Sequence, residues 1–333
     1  MQILKFGGSS LADATTIQRV AQLVREHAAD IQTVVVCSAC AGVTNRLVRI
    51  AKLAREGITA RAVQSVWAIR TRHRALLAEL EFSAAENAIE SVAECLGGAE
   101  DPRAWRELED LGDYLQSLTL ETGSGIKNAS WMDAVLSYGE RASARLVAFA
   151  LRWEGVPAEA ADASCFIVTN EEFQNATPLW EETRLRARDI LLPLLEKGIV
   201  PVVTGFIGAT RAGRVTTLGR NSSDFSAAIV ADALDADEVC LWTDVDGIYD
   251  RDPRAANAES GDEVTLLAEL SYDEALHLAE RGAKVLHPRT IEPLRRKNIA
   301  LRIRNTFRSE HPGTLIGPAL RGGVSSELRR AAR

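Results

Sequence analysis

The chain has 333 residues, a formal net charge of −7, 46% hydrophobic residues and 26% charged residues. That balance supports a large buried core and excludes an extended disordered chain. An acidic chain lacks the basic face that a nucleic-acid partner needs, but a few placed Lys or Arg residues still suffice for small anionic ligands.

The opening Met1–Phe6 carries no basic region followed by an apolar run, so no secretory signal is expected. There is no long apolar stretch to span a membrane. The cysteines, Cys37, Cys40, Cys95, Cys165 and Cys240, are scattered, which fits reduced thiols and a cytoplasmic location. Cys37 and Cys40 have C-x-x-C spacing but no second Cys/His pair, so they are read as small buried residues at a strand end.

In chain order, β-branched apolar runs at Met1–Phe6, Thr33–Ser38, Ala158–Ala161, Ile199–Phe206, Val239–Thr243 and Leu301–Asn305 predict strands buried on both faces. Between them, helical stripes are expected at Ala14–His27, Trp131–Trp153, Thr183–Lys197, Ser223–Leu234, Tyr272–Arg281 and Arg289–Lys297. The alternation predicts an α/β fold, a three-layer α/β/α sandwich with a mostly parallel central sheet. From about 60 to 122 the strands stop, and a helical insertion is expected, with Asp101-Pro102 as an N-cap followed by proline. Arg211–Arg214 reads as a hairpin turn, and 318–333 as a short tail.

Three polar turns carry chemistry. Lys5-Phe6-Gly7-Gly8-Ser9-Ser10 follows the first strand and precedes a helix, so its paired glycines let backbone N–H groups approach an anion that Lys5 can also reach. It is not a G-x-x-x-x-G-K-[ST] phosphate loop. Thr217-Leu218-Gly219-Arg220-Asn221-Ser222-Ser223-Asp224 opens another helix. Arg220 there offers a planar fork for a carboxylate, Asp224 could hold Lys5, and Ser223 or Asp224 could equally be an ordinary N-cap. Trp242–Arg254 leaves a buried strand for a polar loop, at the kind of strand end where open α/β sheets bind ligands. Gly282–Pro288 adds Lys284 at a glycine-bearing turn. The five histidines show no metal spacing, and no metal-binding residue set is expected.

Taken together, K-F-G-G-S-S, S-A-C-A-G-V-T-N at Ser38–Asn45, S-Y-G-E at Ser137–Glu140, T-L-G-R-N-S-S-D, W-T-D-V-D-G-I-Y and G-A-K-V-L-H-P resemble, in order and spacing, the aspartate kinase catalytic domain of the amino-acid kinase superfamily. The likeness runs from residue 1 to about 317. It implies an N-terminal amino-acid-binding lobe at about 1–198 and an ATP-binding lobe at about 199–317. It implies ATP-dependent phosphorylation of the L-aspartate side chain, the first step toward lysine, threonine and methionine. Lys5 and Asp224 would be catalytic. Ser38, Thr44, Glu140, Arg220 and Ser223 would contact aspartate. Lys5, Gly7, Gly8, Ser9, Thr243, Asp244, Tyr249, Arg254, Lys284 and Val285 would contact ATP, with Mg²⁺ carried on its phosphates.

Ser222 stands where the family pattern has glycine, so a positive φ at that position would cost strain. Tyr138 stands where His or Arg is usual, and Arg281 where Phe is frequent. The regulatory ACT modules of the family have no counterpart in Pro318–Arg333, so turnover insensitive to lysine, threonine and methionine is expected, from a monomer or a homodimer formed through the kinase domain. Another superfamily acceptor, or a non-catalytic sensor, is the alternative reading.

Overall fold

A strand whose residues are all apolar must bury both faces, and the computed structural model shows this for the central strands. It describes residues 1–88, 101–121, 127–250, 264–280 and 287–318. The first half runs β1 (Gln2–Phe6), α1 (Ala14–Ala28), β2 (Thr33–Cys37), α2 (Val43–Arg55), α3 (Thr59–Ala88), α4 (Pro102–Leu120), α5 (Ala129–Leu136), α6 (Tyr138–Trp153), β3 (Ala158–Ala161) and β4 (Val168–Thr169). It continues with α7 (Trp180–Glu196), β5 (Val200–Thr204), β6 (Ile207–Thr210), β7 (Val215–Thr217), α8 (Ser223–Leu234) and β8 (Glu238–Thr243). The remaining elements are β9 (Ile248–Tyr249), β10 (Leu266–Leu267), β11 (Glu269–Ser271), α9 (Tyr272–Glu280), α10 (Pro288–Lys297), β12 (Ala300–Asn305) and β13 (Thr314–Gly317).

The main sheet has the order β11-β13-β12-β8-β1-β2-β5-β3. Every pairing in it is parallel except β12 with β13. β1 lies between β2 and β8, with Phe6 level with Cys37 on one side and Trp242 on the other. The sheet therefore grows in both directions from β1, and the carboxyl ends of β1, β2 and β8 share one edge. That is the topological switch point where open α/β sheets leave a crevice. Helices α1 and α6 cover one face, and α7, α8 and α10 the other. The α3–α4 insertion stacks outside the α1–α6 layer. The expected hairpin is present as β6–β7, joined to β4 in a separate three-stranded sheet. Among the described residues no helix is long and apolar enough to cross a membrane.

Three local features differ from expectation. The stripe over Trp131–Trp153 is two helices that meet at Ser137, whose Oγ donates to the Ala134 carbonyl at 2.7 Å. A serine bonding back into its own turn bends a helix. Gly139 follows, and a Cβ there would stand 2.7 Å from the Ala39 Cβ, so the bend brings α6 against the Ser38–Gly42 turn. Helix α2 was not foreseen, although Leu47, Ile50, Ala51 and Ala54 make its buried stripe. Strands β9, β10, β11 and β13 were also unforeseen, being too short to establish an alternation. The tail beyond Pro318 lies outside the described residues.

Asp101 caps α4 as expected, accepting from the Arg103 and Ala104 amides, and also pairs with Arg152 at 2.7 Å. Asp101→Ala is expected to lower unfolding free energy by about 0.5–2 kcal/mol in urea titration, whereas Asp101→Asn retains the cap and recovers most of it. Equal losses in the two variants would assign the effect to the Arg152 pair instead.

Candidate active site

A cavity of about 360 Å³ opens at the carboxyl edge of β1 and β2. Three turns build it. Gly7 and Gly8 come from the end of β1, Ser38 to Asn45 from the end of β2, and Arg220 to Asp224 from the start of α8. Glu140, in the first turn of α6, closes one wall, and Phe206 another.

The glycine at position 8 is a requirement of close approach, since a Cβ there would lie 2.9 Å from the Ala39 carbonyl oxygen. The first two turns are also tied together from the insertion. Arg72 of α3 donates to the Ala41 carbonyl at 2.8 Å and to the Ala12 carbonyl at 3.0 Å. On the third turn, positive φ falls on Gly219 (99°) and Asn221 (60°). Ser222 has φ −92° and ψ 11°, ordinary for serine, so the backbone demand expected at 222 is met one residue earlier by asparagine, which tolerates the left-handed region. Phe206 also has positive φ, 69°, with its amide held by Ser226 Oγ at 2.7 Å.

Lys5 and two helix starts favour anions in the cavity. Helix α8 starts at Ser222 and α2 at Gly42, and neither has a side-chain cap; nor does the 3-10 turn that follows Gly7. The N-cap of α8 is thus neither Ser223 nor Asp224. Uncapped N–H groups and the positive end of the helix dipole, about half a charge, are left for a ligand. Lys5 Nζ lies 2.5 Å from Asp224 Oδ1, with the two side chains 11% and 22% exposed. Ser38 Oγ donates to Ser223 Oγ at 2.8 Å, joining the second and third turns. Arg220 is exposed, donates to Asn45 Oδ1 at 3.2 Å, and has no acidic partner among the described residues.

Glu140 adds a buried carboxyl to the wall beside the Ser38–Gly42 turn. It is 4% exposed. Burial pushes its carboxyl up to about 8, opposed by the Ala39 N–H that donates to Oε1 at 3.2 Å. Its Oε2 has no hydrogen-bond partner among the described residues. A buried carboxyl with an unused oxygen at the edge of a cavity suits a cationic group, because an ammonium restores the solvation that burial removed.

The structure brings Lys5, Gly7, Gly8 and Ser38 to the cavity, together with Thr44, Glu140, Arg220, Ser223 and Asp224. Ser9 is exposed on the adjoining 3-10 turn and does not line it. Thr243 and Asp244 leave the end of β8 next to β1, bonded to each other at 3.1 Å, and Tyr249 lies half-buried in β9. Arg254, Lys284 and Val285 lie outside the described residues, as does Arg281. Tyr138 turns into the core, its ring edge-on to His73 with centroids 5.4 Å apart, rather than into the cavity. Burial pushes the thiols of Cys37 and Cys40 up, Cys40 to about 12, which keeps both neutral. Sequence reasoning missed Arg72, Phe206 and the role of Asn221. Only Asn221, inside a recognisable polar turn, carried a local signal.

Fold and site together define an open α/β protein whose sheet edge carries a cavity lined by glycine turns, helix starts, Lys5 and a buried carboxyl. Comparison with known proteins is more specific. The model of the amino acid kinase family matches residues 1–305, and the chain belongs to that family. Lysine-sensitive aspartokinase 3 of Escherichia coli is 35% identical over 94% of this chain and 63% of its own length. Chloroplastic aspartokinase 3 of Arabidopsis thaliana is 34% identical over 94% of this chain and 52% of its own. The chain thus spans less than two thirds of these relatives. The crystal structure of E. coli aspartokinase III in complex with aspartate and ADP superposes with a TM-score of 0.78 at 33% identity, covering 97% of this chain and 65% of that one.

Glu140 sets a pH signature. Its folded pKa, about 8, exceeds its ordinary 4.5, so its contribution to stability is fully present below about pH 4.5, falls as pH rises from there to about 8, and is absent above. The ligand-free protein should therefore lose melting temperature between about pH 4.5 and 8, and Glu140→Gln should flatten that slope. An amine ligand binding near neutral pH should release up to about one proton, read by calorimetry in buffers of different ionisation enthalpy. Binding heats independent of buffer would mean that Glu140 is already ionised in the empty site.

Proposed function

We propose that the protein is an aspartate kinase, transferring the γ-phosphoryl group of ATP to the side-chain carboxylate of L-aspartate. The observation that carries this reading is one cavity whose walls combine Lys5, paired with Asp224, two helix starts without side-chain caps, and the buried Glu140 with its free Oε2. The likeness to an aspartokinase solved with aspartate and ADP supports it.

In this reading Glu140 receives the α-ammonium and Arg220 the α-carboxylate, while Thr44, Ser38 and Ser223 orient the side chain. Lys5, Gly7, Gly8 and Ser9 face the β- and γ-phosphates. Thr243, Asp244 and Tyr249, with Arg254, Lys284 and Val285, surround the rest of ATP. The described residues hold no group of three or more His, Cys, Asp or Glu side chains fit to bind a metal alone, so the donors for Mg²⁺ would come chiefly from the phosphates. The ion supplies charge neutralisation there.

An aspartate side chain has a reference pKa of about 3.9, so the nucleophile is ionised at neutral pH and needs no general base. A carboxylate oxygen forms a bond to the γ-phosphorus as the bond from phosphorus to the β,γ-bridging oxygen breaks, and ADP leaves with that electron pair. The barrier is repulsion between anions. Lys5, aligned by Asp224, and the free N–H groups offset it while the cavity holds the two groups in line.

A coupled ADP-release assay over aspartate, glutamate, N-acetylglutamate, carbamate and UMP tests the acceptor, and aspartate alone should support turnover. Lys5→Ala should lower kcat on the order of 100- to 1000-fold, with a much smaller rise in the KM for aspartate. Near-normal turnover in that variant would remove Lys5 from the mechanism. Release of ADP with another acceptor would reassign the substrate, and ATP binding without turnover on any acceptor would make the protein a sensor.

A further inference from the structure

Arg220 lies in a turn, residues 218–222, that has no regular structure of its own and contains two positive-φ residues, and Asp224 follows it in the first turn of α8. Something must hold it. Its entry, Thr217–Leu218, lies against the segment Gln174–Ala176, joined by the Ala176 amide donating to the Thr217 carbonyl at 2.9 Å. Two charged side chains grip this pair of segments. Asp133 of α5, fully buried, accepts from the Gln174 amide at 2.8 Å, the Thr217 amide at 2.9 Å and Thr217 Oγ1 at 2.9 Å. Arg289, in the first turn of α10, donates to the Leu218 carbonyl at 2.9 Å, the Ala176 carbonyl at 2.9 Å and Asn175 Oδ1 at 3.0 Å. Its guanidinium also lies over the Phe225 ring, 4.5 Å from the centroid, one residue beyond Asp224.

Asp133 thus takes the donors of the two segments and Arg289 takes their acceptors. Neither forms a salt bridge among the described residues, although burying a charge on neutral partners is costly. What the arrangement provides is geometry, since a planar fork reaching three acceptors on two segments allows one placement.

We propose that Asp133 and Arg289 are positioning residues for the acceptor site, holding the Thr217–Asp224 turn so that Arg220 meets the substrate carboxylate. The proposal rests on the kinase reading above, and its test has an arm that does not. In Arg289→Ala, kcat/KM for aspartate should fall on the order of 10- to 100-fold, the worth of one hydrogen bond to a charged group, while the KM for ATP is unchanged. Added guanidinium ion should restore part of the loss in Arg289→Ala. It should restore none in Asp133→Asn, which keeps the side-chain shape but turns one acceptor into a donor facing an amide. Arg289→Lys should rescue poorly, because one ammonium cannot serve three acceptors, and it serves if the alanine variant does not fold. Independently of activity, hydrogen exchange at the amides of Leu218–Asp224 should quicken in both variants while β1 and β2 keep their protection. Unchanged kcat/KM together with unchanged exchange would overturn the proposal. A parallel loss of ATP binding and melting temperature would also do so, by showing a general structural role. If the wild type fails to use aspartate, the kinase reading falls alone and the exchange result still decides the positioning claim.

Discussion

A lysine at the end of a strand buried on both faces needs a counter-charge, and the architecture supplies one from the opposite layer. Lys5 ends β1, the central strand of the sheet, and Asp224 sits in the first turn of α8, which packs on β1, β2 and β8. The pair fixes where the α8 start lies relative to the glycine turn after β1. With both side chains less than a quarter exposed, it is closer to a buried pair than to a surface one. Breaking such a pair costs up to about 3–5 kcal/mol, less where water screens it, because the remaining charge is left unmatched.

The cavity then follows from how the chain leaves the sheet edge. Parallel strands present their carboxyl ends on one side, and β1 and β2 are each followed there by a turn and a helical start. The starts of α2 at Gly42 and of α8 at Ser222 lack side-chain caps, and both residues line the cavity. Elsewhere Asp13, Asp101 and Asn128 cap α1, α4 and α5, whereas α6 and α7 begin without a side-chain cap, so it is their place in the cavity wall that marks the starts at Gly42 and Ser222. Glu140 adds to the same cavity a buried carboxyl whose pKa desolvation raises.

The sheet was legible because β-branched runs such as Val34-Val35-Val36 can be satisfied only by burial on both faces. Strands of two to four residues, such as β9 and β13, carry no period, and their place depends on partners distant in sequence. The Ser137 bend was hidden by a continuous apolar stripe, since the cause is one hydroxyl bonding backward. At the site, Lys5, Gly8, Arg220 and Asp224 stood out because they lie in polar turns that follow strands or open helices. Arg72, Asp133 and Arg289 did not. Their work is done on backbone groups tens of residues away, and on a helix a charged side chain of that kind looks no different from a solvated one. Ser222 shows the converse, an unusual residue whose backbone is unremarkable in place while its neighbour Asn221 carries the turn.

The central claim is that the reacting group is a carboxylate, which makes the product an acyl phosphate. The direct measurement is trapping with hydroxylamine in a mixture of the protein, Mg-ATP and L-aspartate. The account predicts aspartyl hydroxamate formed in step with ADP and abolished together with it in Lys5→Ala. Sustained ADP release from aspartate without any hydroxamate would contradict it, because phosphate would then be going to water or to another acceptor.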